Sequence, residues 1–205
     1  YCTTTSFGLY YFKYVYGDEG MYSIFAVILG VSQIFAMSIF PALGKRFSRK
    51  SLYAFSTALV VLGYIIFFFA PTNTMLFIGI AGLVLFIGQA FIQVMMLMFL
   101  TDSVEYGEWK FGKRNDSVTF SLQPFINKMG GAVASGVAGA IVIISGMSQA
   151  QSAADMTASG VVILKMAMMV FPLICILVGF LIYRSKYILD EAMYEKIVRE
   201  LNERK

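Results

Sequence analysis

An all-α bundle of membrane-crossing helices is the fold this sequence predicts, and three observations carry the prediction. Hydrophobic residues make up 59% of the 205 residues and charged ones only 14%, against about 25% charged in soluble domains. The mean hydropathy is +0.75. The apolar residues also gather into long runs separated by short polar or charged segments, as expected when each helix must cross about 30 Å of hydrocarbon with about 20 residues.

Composition narrows the chemistry as well. There is no His, which removes the commonest metal ligand and general base. Cys2 and Cys175 lie in separate apolar segments without metal or redox spacing. No catalytic residue, metal site or organic cofactor is therefore expected. An intramembrane enzyme would need His or carboxylate ligands, or a buried base beside a nucleophile, within its spans. The Lys and Arg residues form loop clusters rather than a basic face interleaved with aromatics, so the expected partner is the lipid bilayer and not nucleic acid.

Taken in order, residues 1–16 form the first apolar segment. As a helix it reaches only roughly 24 Å, so it reads as a truncated span, and with no initiator Met or signal peptide the chain reads as a fragment. Tyr10 and Tyr14, and Phe7 and Tyr11, are each four apart and share a face; aromatics at a span's end form an interfacial belt more often than a substrate contact. Gly17-Asp18-Glu19-Gly20 is a polar turn. Residues 21–43 are a full span with Ser32 and Gln33 near its centre, residues able to line a cavity or to bond a neighbouring helix, the second being the commoner use. The basic loop 44–51 carries Lys45, Arg46, Arg49 and Lys50.

Residues 52–70 are the next span, Pro71-Thr72-Asn73-Thr74 a tight turn, and residues 75–100 a long apolar span. In that span Gln89 and Gln93 are stacked four apart on one face. The segment 101–116 reads as a charged loop holding Asp102, Glu105, Glu108, Lys110, Lys113, Arg114 and Asp116. Residues 117–145 follow as a span with a polar stripe, Thr119, Gln123 and Asn127, recurring every four residues. Gly131, Ser135 and Gly139, and likewise Ala132, Gly136 and Ala140, place small residues every four, which lets backbones approach closely. Pro124 removes a backbone donor and is expected to bend this helix. After the polar loop 146–160, residues 161–183 are the last span. Lys165 lies near its start, where it can snorkel. Residues 184–205 are an amphipathic tail, with Ile188, Ala192, Ile197 and Leu201 expected to lie on the membrane surface.

Lys128 stands out. It adjoins the polar stripe and lies roughly 15 Å along its helix from Ser117, near the middle of a bilayer core. A charge at that depth normally faces a polar cavity or a buried partner and marks function.

The run D-S-V-E-Y-G-E-W-K-x3-R-N-D-S, Asp102 to Ser117, followed by F-S-L-Q-x4-K-x-G from Phe120, closely resembles the glycoside–pentoside–hexuronide cation symporters of the major facilitator superfamily, the melibiose permease-like family. YYFKYVYGDEG (10–20), IFP-x3-K-x2-SRK (39–50) and YILDEAMYEKIVREL (187–201) extend the resemblance along the whole chain. It corresponds to the second half of such a transporter, and so implies the C-terminal six-helix half of a major facilitator fold, with its first helix truncated. The sequence departs from the family's best-known member at Gln93, where that protein has Trp, and at Pro124, where it has Thr.

The resemblance implies secondary active transport: symport of a glycoside, pentoside or hexuronide with Na⁺ or H⁺, by alternating access around a midplane site. It implies substrate contacts by Lys128, Gln123, Gln93 and Asn127, with Lys128 also beside the cation site. The family's cation-binding carboxylates lie in the N-terminal six-helix half, which is the expected partner of this chain. Matching acidic and basic positions, here Asp102, Glu105, Glu108 and Arg114, form charge pairs that hold the cytoplasmic side shut, with Lys110 and Lys113 as further partners. Alternating the loops puts all the Lys and Arg except Lys13, Lys128 and Lys165 on one side, and the positive-inside rule makes that side cytoplasmic. Loops 44–51 and 101–116 and the C-terminus are thus expected in the cytoplasm, with the protein multi-pass in the cell membrane. The competing expectation is a non-transporting structural or regulatory membrane subunit.

Overall fold

The computed structural model describes residues 1–72, 74–189 and 191–203. Among them the regular elements are all helical. Helix α1 (Cys2–Tyr11) widens into a π turn, Phe12–Tyr16, and ends at Gly17, whose φ of 91° is open to Gly and strained for other residues. Helices α2 (Met21–Gly44) and α3 (Arg49–Phe69) are joined by a basic loop. Ser48 ends that loop by accepting a hydrogen bond from the Ser51 N–H at 3.2 Å, a side-chain N-cap. Helix α4 is Met75–Phe111 and α5 Asp116–Ile144. A short helix, α6 (Ala158–Lys165), passes through a second π turn, Met166–Val170, into α7 (Phe171–Lys186), and α8 (Glu191–Glu203) closes the described chain.

Five of these segments are long and apolar enough to cross a membrane: α2, α3, α4, α5, and α6 with α7 as one unit. The sixth, α1 with its π turn, is shorter, as its length in the sequence predicts.

Helix α4 is the hub, because small residues let its neighbours close on it. A Cβ on Gly63 of α3 would sit 2.6 Å from Leu85 Cα of α4, and one on Gly88 of α4 would sit 2.9 Å from the Ser56 carbonyl oxygen of α3. Both positions need glycine, since neither backbone can give way cheaply. The other side of α4 meets α2 through aromatic rings. Phe25 lies 5.3 Å from Phe86 and 5.6 Å from Phe67, and Phe12 of the first π turn lies 5.2 Å from Phe25. These edge and tilted contacts fuse α1 to α4 into one core.

One expectation requires correction and another is extended. The segment 101–116 is not mostly loop: α4 continues through Phe111, and only Gly112, at φ 68°, stops it. Nothing from Thr101 to Phe111 breaks a helix except the tolerated Gly107, and high charge only means that this part leaves the bilayer. The tail is also more than a surface helix: one face of its amphipathic helix packs on the chain itself. Ile197 is 1% exposed and the Trp109 indole N–H donates to Glu200 Oε2 at 2.6 Å, so α8 packs against the polar extension of α4. Ile188, by contrast, is exposed.

Helix α5 is the outlier in burial. Only Ala134 and Ala138 are buried, while Phe125, Ile126, Met129 and Val133 are exposed. It runs as one helix through Pro124. The small residues that point inward are therefore Ala134 and Ala138. The stripe Ala132, Ser135, Gly136, Gly139 and Ala140 lies exposed.

Candidate functional site

The first cluster grows from α4. Gln89 is 8% exposed and donates from Nε2 to the Tyr64 hydroxyl at 3.2 Å. That hydroxyl also shares a 2.6 Å hydrogen bond with Thr4 Oγ1. A polar chain thus ties α1, α3 and α4 together inside an otherwise apolar core, where each unmade bond costs about 1–3 kcal/mol. The Gln89 side chain still has one unused group: Oε1 is buried and has no hydrogen-bond partner among the described residues.

One turn further along α4, Gln93 lines a cavity of about 220 Å³ with Tyr1, Cys2, Gln89 and Met96 on one side and Asn127 of α5 on the other. The lining is mostly apolar, with Ile92 and Ile176 completing it, and its polar groups are the amides of Gln89 and Gln93 on α4 and of Asn127 on α5 and the Tyr1 phenol. Gln33 of α2 donates to the Tyr1 hydroxyl at 3.4 Å, the helix-to-helix use anticipated for it. Ser32 bonds back to its own helix at Ile28 O, 2.6 Å, and is buried, so it does not face a cavity.

Of the four substrate residues suggested by resemblance, Gln93 and Asn127 are brought together here. Gln123 lies one turn before Asn127 on the same face, half-buried and outside the lining. Lys128 is exposed, about 100° round the helix from Asn127. It shares its face with Ala132, Ser135 and Gly139, the small-residue stripe left uncovered. Gln89 and Tyr1 complete the cavity. Gln89 was legible as a partner of Gln93 at four-residue spacing, whereas nothing in the sequence placed Tyr1.

The second cluster lies at the basic end. Asp102 of α4 is 2% exposed and pairs with Arg49 of α3 at 3.2 Å. Its other oxygen accepts from the Tyr187 hydroxyl at 3.0 Å. The Arg49 guanidinium lies 3.9 Å from the ring centroid of Tyr194 on α8, a cation–π contact. Burial raises the pKa of Tyr187, and the Asp102 carboxylate raises it further, so this phenol stays protonated and donates. Tyr194 shifts upward too, first through burial and then through Glu105.

The charge pairing expected within segment 102–116 is only partly realised. Arg114 does bond Glu108 at 3.1 Å, and also Asp116 at 2.8 Å, both near the surface. Asp102 instead reaches across to Arg49. The helix explains the change: with residues 102–111 rigid, side chains meet those of neighbouring helices rather than residues close in sequence. Arg49, Tyr187, Tyr194 and Glu200 were the partners that sequence spacing could not find.

An all-helical bundle of several apolar spans, with a cavity between α4 and α5 and a charge-paired end, fits part of a major facilitator protein. The chain belongs to the MFS/sugar transport protein family, whose model matches residues 1–191, and within it to the glycoside–pentoside–hexuronide cation symporters. Relatives include the raffinose carrier protein of Pediococcus pentosaceus, 37% identical over 96% of this chain and 30% of that protein. The lactose permease of Lactobacillus delbrueckii subsp. bulgaricus is 32% identical over 97% of this chain and 32% of its own length. A glucuronide carrier protein homolog of Escherichia coli is 26% identical over 96% and 42%. The chain thus spans about a third of the length of the first two. These relatives are carriers and permeases, not enzymes.

Proposed function

We propose that this chain is the second half of a secondary transporter that moves a glycoside, pentoside or hexuronide together with Na⁺ or H⁺. A six-helix N-terminal half would supply the cation-binding carboxylates and the opposing wall of the site. One observation carries the proposal: α5 presents Lys128 and a stripe of small residues on a face that no part of the described chain covers. A charged side chain at mid-depth is costly against lipid, so this face is suited to a polar cavity shared with a second bundle. The names of the raffinose, lactose and glucuronide carriers agree with a sugar as cargo.

In this reading Gln93, Asn127 and Gln123 hydrogen-bond sugar hydroxyls, with Gln89 beside Gln93 in the cavity lining. Lys128 contributes positive charge beside the cation site. Alternating access rocks the two halves about that site. Asp102, Glu105, Glu108 and Arg114, with Arg49 as the added partner, hold the basic end closed in one of the two states. That end faces the cytoplasm, and the protein resides in the cell membrane.

The test is Lys128→Ala in the full-length protein, with sugar accumulation measured in cells. Cation-driven accumulation is expected to fall at least tenfold, as for removal of a group worth about 1.4 kcal/mol or more, while membrane insertion is unchanged. Undiminished accumulation at normal insertion would overturn the role.

A further inference from the structure

Where α3 enters and α7 leaves the bundle at its basic end, the two helices enclose a cavity of about 350 Å³ lined by Lys50, Ala54, Phe180, Tyr183, Arg184 and Tyr187. It is separate from the cavity lined by Gln93 and Asn127. The lining is built by helical spacing: Lys50 and Ala54 are one turn apart on α3, and residues 180, 183, 184 and 187 recur at the three- and four-residue intervals that share a face.

Its depth in a membrane follows from two facts. Lys50 is the second residue of one span and Arg184 the third from the end of another, so both sit where hydrocarbon gives way to headgroups. Around them the rings form a belt: Tyr53 stacks on Phe180 at 5.8 Å and lies 4.4 Å from Tyr183, which stacks on Tyr187 at 4.7 Å. Amphipathic aromatics collect at that level. Deeper along the same helices the exposed side chains are apolar, Phe55 and Leu62 on α3, Leu177 and Leu181 on α7. The lining therefore carries two basic groups at the headgroup level, and the exposed side chains farther along both helices are apolar.

We propose that this cavity binds an anionic glycerophospholipid, the phosphate and headgroup between Lys50 and Arg184 and an acyl chain along Ala54 and Phe180 between α3 and α7. Basic pockets between spans are suited to such headgroups. The apolar wall favours a lipid over free phosphate, which could use only the mouth. Since Tyr187 also donates to Asp102, a bound lipid would brace the Arg49–Asp102 cluster from its membrane side. Assignment to the cytoplasmic leaflet rests on the orientation proposed above, but the binding itself does not, and the test is made in detergent, where orientation plays no part.

The full-length protein is purified in detergent, and native mass spectrometry measures retention of dioleoylphosphatidylglycerol against dioleoylphosphatidylcholine, with and without excess inorganic phosphate. Retention is expected to favour the anionic lipid by about twentyfold, as two basic groups near an anionic headgroup provide, and to resist phosphate. The Lys50→Gln/Arg184→Gln variant should lose the preference, and Lys50→Arg/Arg184→Lys should keep it. Melting curves in phosphatidylcholine show whether each variant is folded. Equal retention of the two lipids by the parent, or an unchanged preference in the folded Gln variant, would overturn the proposal. Displacement by phosphate alone would assign the mouth to a free anion and overturn the lipid.

Discussion

Asp102 is 2% exposed and Arg49 15%, so neither charge of this pair can recover its hydration if the other is removed. Taking one partner from a buried pair typically costs about 3–5 kcal/mol, whereas replacing both with apolar groups of similar size is often near neutral. Asp102→Asn and Arg49→Met are each expected to lower the thermal midpoint of the full-length protein. The double variant Asp102→Leu/Arg49→Met is expected to lie closer to the parent than the sum of the singles. Strictly additive losses would mean that the two side chains act independently. The same residue scale shows what spacing can reveal. Gln93 and Asn127 were legible because each belongs to a four-residue repeat of polar groups inside an apolar run. Tyr64, which anchors Gln89, and Tyr187, which bonds Asp102, were not legible, because a tyrosine in an aromatic-rich span carries no mark of its partner when that partner is 25 or 85 positions away.

At the scale of elements, the hydrophobic runs agree with the bounds of the long apolar helices to within a few residues. The exception was the end of α4, where charge imitated a loop and only Gly112 marked the true stop. A helix that projects out of the membrane for its last turns needs something to pack on it, and α8 does so through Ile197 and the Trp109–Glu200 bond. The proposed orientation can be tested on the short connections that remain. With Cys2 and Cys175 replaced, Lys113→Cys is expected to react with impermeant thiol reagents only from the cytoplasmic side, and Gln151→Cys only from outside; both positions are exposed. Labelling of Lys113→Cys in intact cells would invert the assignment.

For the molecule as a whole, two faces differ in what they ask for. The outer side chains of α2 and α7, such as Val27, Ile34, Leu181 and Ile182, are apolar and exposed, which lipid satisfies. The face of α5 that carries Lys128 and the small stripe is exposed too, but lipid cannot satisfy a charge, and small residues provide close backbone approach rather than lipid contact. That contrast was half legible: the lysine and the stripe stand in the sequence, but that both fall on the uncovered side of α5 required the packing of Ala134 and Ala138. On the proposed function the chain is one of two bundles, with the site between them. The most direct measurement is sugar uptake driven by a cation gradient in liposomes, by residues 1–205 alone and by the same chain co-reconstituted with the N-terminal six-helix half as a separate polypeptide. No uptake by the chain alone and restored cation-dependent uptake by the pair is the expected result; robust coupled uptake by the chain alone would contradict the account.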